Sequence, residues 1–179
     1  MVLFKKQWPA FLLAFVFPLL GVYGWWGGFN SATVTVGESG PYFYAYMEHH
    51  GDIAKLPKTQ EKVFKLLKKA GIEPGDTFTV LLTDPRTTPK AKQLARTGYR
   101  IPLDAKLPGE LMSDVLTRRR VLSARVHAAT MLAPGKAYQA LYDHLHEQAL
   151  DITLPAVEIY RPSGTPTRVG ELTVEIAHP

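Results

Sequence analysis

The chain has 179 residues, with 21 Lys and Arg against 16 Asp and Glu and a formal net charge of +5. Apolar residues make up 46% and charged residues 21%, which excludes wholesale disorder and sets one folded domain, or two small halves, as the expectation. The absence of cysteine excludes a disulfide scaffold, a thiol nucleophile and a Cys-ligated zinc or iron–sulfur site.

The basic excess is mild. With Lys5 and Lys6 set aside, 19 basic groups face 16 acidic ones. Nucleic acid is therefore not expected as a partner, since its binding wants a dense basic face. The run Arg118-Arg119-Arg120 reads as a solvated entrance to a strand.

From Gln7 to Gly37 no residue is charged. Within that stretch Ala10–Phe29 reads AFLLAFVFPLLGVYGWWGGF, twenty residues that would span about 30 Å as a helix, the thickness of a bilayer core. Lys5 and Lys6 precede it and Glu38 is the first charge after it. The positive-inside rule then places the N-terminus in the cytoplasm and the rest of the chain across a cell membrane, in the periplasm for a bacterial protein. A single-pass anchor is expected rather than a removed signal peptide, because no Ala-x-Ala cleavage pattern follows; Val22-Tyr23-Gly24 is the nearest approach to one. Residues 1–32 are read as anchor and linker and 33–179 as the domain, with Asn30–Gly40 a short linker into the first strand.

The domain repeats one order of elements. Tyr42–His49 is an aromatic-rich strand, and a helix follows with Ile53, Leu56, Val63, Phe64 and Leu67 at helical spacing, stopped by Gly71. Thr77–Leu82 and Leu94–Ile101 are strands. The second half sets out Val121–His127 as a strand, Pro134–Leu150 as a helix, and Ala156–Tyr160 and Arg168–Ile176 as strands. Between the halves, Leu111, Met112, Val115 and Leu116 predict a short helix. The expected fold is α+β: two pseudo-symmetric βαββ modules, residues 40–103 and 118–177, share one antiparallel sheet with both helices on one face, preceded by a transmembrane helix. The other face is left as an open trough, a natural small-molecule pocket.

Strand alternation assigns the trough its lining. Val157 and Ile159 are expected to face the helices, leaving Glu158 and Tyr160 on the open side. Tyr42, Tyr44 and Tyr46 of the first strand, Tyr99 of the fourth, and Glu171, Thr173 and Glu175 of the last are placed with them. A carboxylate among tyrosines suits a cationic or amphipathic ligand, through charge pairing, stacking and cation–π attraction. The bland alternative for Glu158 is a strand residue paired with Arg125.

Three segments carry a family resemblance: TVLLTDPRTTPKAKQLARTGYRIP (Thr79–Pro102), VLSARVHAA with the helix KAYQALYDHLHEQAL, and LPAVEIYRPSG (Leu154–Gly164). In order and spacing they resemble the GyrI-like small-molecule-binding domain, the family of the DNA gyrase inhibitor protein and of the effector-binding domains of multidrug-sensing regulators. The resemblance implies two βαββ modules with a central ligand groove, and an acidic residue near its centre that selects lipophilic cations. Glu158 matches the Glu of the family's E-[VI]-Y strand, and Glu171 the acidic residue of its last strand. His50-Gly51-Asp52 departs from the family's Gly-Pro-[WY] pattern, and Leu81 and Leu82 stand where tyrosines are frequent.

The leading expectation is a membrane-tethered binding module, not an enzyme, that takes a small amphipathic or cationic ligand, or a protein partner, with Glu158, Tyr160, Glu171, Tyr44, Tyr46 and Tyr99 as site residues. The alternative is a hydrolase of strained electrophiles. The resemblance extends to GyrI-like proteins with that activity, and here Glu158 would serve as general base and Tyr160 as hydrogen-bond donor. A third reading is a structural or interaction protein with a filled groove. No cofactor and no metal are expected: His144 and His146 lie about 200° apart on a helix and cannot chelate together, and no phosphate-binding Gly-rich loop is present.

Overall fold

A computed structural model describes residues 3–164 and 169–178. A long N-terminal helix α1 (Leu3–Trp25) precedes the domain, whose elements are β1 (Thr33–Ser39), β2 (Tyr42–His50), α2 (Leu56–Lys69), β3 (Thr77–Leu81), β4 (Leu94–Arg100), β5 (Met112–Leu116), β6 (Arg119–His127), α3 (Ala133–His146), β7 (Ala156–Arg161) and β8 (Glu171–Ala177). Among the described residues, eight strands form one antiparallel sheet in the order β1-β6-β8-β7-β3-β4-β2-β5. The two βαββ modules are β2-α2-β3-β4 and β6-α3-β7-β8. They join where β3 pairs β7, with Thr79 opposite Glu158.

Each helix forms for local reasons. Asp52 accepts the Ala54 N–H and caps a single 3₁₀ turn. Pro57 then opens α2 in its first turn, where its missing N–H costs nothing, and Lys68 and Lys69 complement its C-terminal dipole. Pro134 does the same for α3. Val63 and Leu67 of α2 and Ala137, Leu141 and Leu145 of α3 are buried against the sheet. α2 covers β2 and β4, and α3 covers β1, β6 and β8, so the central pair β3–β7 runs between the helices.

Two segments differ from the sequence expectation. Residues of the presumed linker form β1, which pairs β6 from Thr33↔Arg125 to Ser39↔Arg119. The stretch expected as a short helix contains β5, which pairs β2 from Tyr42↔Leu116 to Tyr46↔Met112. Each of these strands precedes one module in the chain and pairs with the other. The start of the last expected strand, Arg168, lies outside the described residues; β8 begins at Glu171.

The expected span over Ala10–Phe29 also changes. The helix ends at Trp25, and residues 26–29 form a turn. There Gly27 takes φ +73°, and a Cβ on it would fall 2.4 Å from the His127 carbonyl. This close approach ties the turn to the domain. The Ala129 N–H donates to the Trp26 carbonyl (2.8 Å), Asn30 Nδ2 to the His127 carbonyl (2.6 Å), and Lys136 Nζ to the carbonyls of Gly28 (2.7 Å) and Asn30 (2.9 Å). Among the described residues no helix is long and apolar enough to cross a membrane.

Candidate functional site

Register places every strand side chain on one of two faces. The expected assignment of β7 is inverted. Val157 and Ile159 lie on the face without helices, packed with Phe78, Val80, Tyr44 and Tyr46. Glu158 lies on the helix face, opposite Thr79 on β3 and Val174 on β8. The bare face claims the larger apolar pair because its centre is itself a packed core: Phe78 is 0% and Tyr44 2% exposed.

On the helix face, Glu158 sits over the gap between α2 and α3. Tyr138, projecting from α3, donates its hydroxyl to Glu158 Oε1 at 2.9 Å. Thr79 and Thr97 share a hydrogen bond of 2.9 Å, and Gln60 of α2 donates to Thr79 at 3.3 Å. Glu158 keeps a small exposed area, yet protein atoms surround its carboxyl, and lost hydration raises its pKa; the Tyr138 hydrogen bond opposes this only in part. Tyr138 is raised as well, first by burial and then by the charge of Glu158. Among the described residues, no cation lies within ion-pair distance of Glu158; Arg125, its presumed partner, pairs with Glu171. An apolar cavity of about 130 Å³ adjoins Tyr138, walled by Leu81, Pro85, Ile152 and Leu154, with Asp84 and Arg86 at its edge.

The bare face carries a different site. A groove of about 480 Å³ lies over β6, β8 and β7, flanked by β1 and the Gly40-Pro41 turn. Glu175 is buried at its floor. Its Oε1 accepts from the Ser39 hydroxyl and from the Tyr42 hydroxyl (2.8 Å), and its Oε2 from Arg119 Nη2 at 2.9 Å. Glu171 stands higher, 3.7 Å from Arg125, 3.8 Å from Arg161 and 3.1 Å from His127 Nε2.

The six expected site residues therefore do not converge. Glu158, Tyr160 and Tyr99 are on the helix face. Tyr99 packs against α2 beside Phe64, and Tyr160 lies against β8, where a Cβ on Gly170 would fall 2.4 Å from its hydroxyl. Tyr44 and Tyr46 are buried in the bare-face core, and Glu171 lines the groove. Tyr138 is not among the site residues expected from the sequence. Its hydroxyl was the available signal, since a buried tyrosine usually finds a polar partner. Among the described residues no three His, Asp or Glu side chains gather as a metal site.

Comparison with known proteins agrees with this architecture. The model of a family described as the GyrI-like small molecule binding domain matches residues 34–179. No curated protein matches the chain. Among solved structures, the chain is similar to the EcmrR C-terminal domain (TM-score 0.63, 12% identity, 82% of this chain and 96% of that one). It is also similar to EcmrR in a DNA complex (TM-score 0.62, 11% identity, 97% and 67%) and to an integron cassette protein of Vibrio cholerae (TM-score 0.58, 9% identity, 83% and 97%).

Proposed function

The chain belongs to the GyrI-like small-molecule-binding domain family, and from that premise we propose that it binds a lipophilic cation at Glu158, in the cleft between α2 and α3. One observation carries the reading: Glu158 is a desolvated carboxyl held by a single tyrosine hydroxyl, with no cation paired to it among the described residues. A buried carboxylate without a counter-charge is costly, and a cationic ligand relieves the cost. The apolar cavity beside Tyr138 suits the ligand's hydrophobic body. Of the residues expected from the sequence, Glu158 is the centre of this site; Tyr160 and Tyr99 lie on the same face. Tyr44 and Tyr46 take no part, being packed in the opposite face.

The test is equilibrium binding of a fluorescent triphenylphosphonium probe to the full chain in detergent micelles. Saturable binding is expected, weakened at least ~10-fold by Glu158→Gln, which costs about 1.4 kcal/mol or more. Equal affinity of the two proteins overturns the reading.

A hydrolytic role for the same carboxyl draws support from its raised pKa, with Tyr138 rather than Tyr160 as the adjacent hydroxyl. Turnover of an epoxide or a strained cyclopropane that is lost in Glu158→Gln would establish it. The binding reading stands ahead because the other acid at the cavity, Asp84, is held as a carboxylate by Arg86, which leaves it no proton for a leaving group. Nucleic acid has no place in the reading: Arg100, Arg119, Arg125 and Arg161 each face a carboxylate, which leaves no continuous basic surface among them.

The location proposed for the domain is outside the cytoplasm, tethered to the cell membrane by α1 with its N-terminus inside. Support comes from the exposure of Phe11, Phe15, Phe17, Leu19, Leu20 and Trp25 and from the flanking Lys5 and Lys6. The described side chains of α1 from Phe11 to Trp25 cover only about 22 Å. Extraction therefore decides: a spanning helix stays in the membrane pellet at alkaline pH, whereas a helix lying on the surface is released.

A further inference from the structure

The bare-face groove plays no part in that reading, and it lies on the other side of the sheet from Glu158. Its charges are arranged in two levels. At the floor, the Glu175 side chain is 4% exposed, and both its oxygens are engaged inside the protein by Ser39, Tyr42 and Arg119. That carboxylate has little left to offer a ligand.

At the mouth the guanidiniums are the under-used groups. Arg125 from β6 and Arg161 from β7 approach the same oxygen, Glu171 Oε1, at 3.7 and 3.8 Å. These are ion-pair distances too long for hydrogen bonds. Each guanidinium has five donors. Arg161 makes one hydrogen bond, to Asp76 at 3.3 Å, and among the described residues Arg125 makes none. Both side chains remain open to solvent, at 63% and 62% exposure. Pairing Glu175 with Arg119, Glu38 with Arg118 and Asp76 with Arg100 leaves Arg125 and Arg161 against Glu171, one positive charge in excess.

We propose that this groove is a second ligand site, which takes a small oxyanion, a carboxylate or phosphate monoester, between Arg125 and Arg161. The guanidinium forks match such oxygens two at a time. Ile159, Val121 and Thr173 offer the surface on which the rest of the molecule lies. Glu171 is the internal anion that holds the two arginines in position while the groove is empty, and the ligand displaces it. The domain thus offers opposite charge preferences on the two faces of one sheet.

Phenyl phosphate, titrated calorimetrically into the full chain in detergent micelles at low salt, tests this. Saturable 1:1 binding is expected, weakened by added salt. Arg125→Gln and Arg161→Gln should each weaken it at least ~10-fold, a loss in keeping with charge-assisted hydrogen bonds. Arg120→Gln, at an exposed cation outside the groove, should leave it unchanged. Glu171→Gln should tighten binding several-fold, because it removes the internal competitor. Should an arginine variant misfold by circular dichroism, the sign of the Glu171→Gln effect decides. Absence of saturable binding, equal affinity in folded arginine variants, or weaker binding in Glu171→Gln overturns the proposal. Titration with the triphenylphosphonium probe already bound keeps the two readings apart: simultaneous occupancy is expected, and either site can fail without the other.

Discussion

The two faces of the sheet divide their chemistry in an unexpected way. The face covered by α2 and α3 keeps a polar line along its middle, with Glu158 and Thr79 where neither helix covers β3 and β7, and Thr97 of β4 and Gln60 of α2 beside them. The face without helices is dry at its centre, where Tyr44 meets Phe78 with ring centroids 4.5 Å apart and Tyr42 meets it at 5.3 Å. A missing helix layer is therefore not the same as an open surface. The sheet shelters that centre with its own aromatic side chains, and the open groove lies towards β6 and β8.

The largest expected effect tests that dryness. Phe78→Ala should cost about 3–5 kcal/mol in urea unfolding, in the same range as Leu141→Ala beneath α3, since both remove fully buried side chains. A cost under ~1 kcal/mol would mean the bare face is an open trough after all. Glu158→Gln comes next. It should weaken cation binding at least ~10-fold, and it should also stabilise the unliganded chain. The folded-state pKa of Glu158 is raised, so the folded chain holds its proton more tightly, and stability falls as pH rises from the ordinary carboxyl range to the folded value. Replacing the carboxyl removes that fall. The melting temperature of Glu158→Gln should exceed wild type by a few degrees at pH 8 and by less at pH 4. A gain that is the same at both pH values would mean the carboxyl is well hydrated.

Tyr138→Phe sharpens the same comparison with a smaller change. It deletes the one hydrogen bond that lowers the Glu158 pKa, so the carboxyl should titrate at still higher pH by carbon-detected NMR, with a stability cost of about 1 kcal/mol. The smallest effect belongs to the groove rim. Arg118→Ala breaks an exposed pair with Glu38 and should change stability by less than ~1 kcal/mol. A larger loss would mark the rim as part of the structural core.

The duplicated βαββ order, the two helices and the single sheet could be read from local patterns, because each helix carries its own turn chemistry and apolar stripe. The face of β7 could not. In AVEIYR both parities contain residues fit for burial, so alternation separates Val157 and Ile159 from Glu158 without saying which set meets the helices. Glu175 was legible, sharing its parity with Glu171 and Thr173 on a strand with one clear apolar side. β1 and β5 were lost for a different reason. TVTVGES alternates as a strand should, but its partner β6 lies in the other module. Leu111, Met112, Val115 and Leu116 fall at helical spacing, yet Met112, Val115 and Leu116 pair β2 as a strand. Partners distant in sequence leave no trace in a local window.

The crossing of β1 and β5 between modules bears on how the molecule is made. As the chain leaves the ribosome, β1 emerges early but has no hydrogen-bonding neighbour until β6 is synthesised, and β7 and β8 follow later still. The first module, for its part, cannot receive its outer strand until β5 appears. Neither half is a complete unit during translation, and an unpaired edge is exposed throughout that interval. β8 is the strand that links β6 to β7, so a premature stop before residue 171 leaves β1 and β6 without their connection to the rest of the sheet.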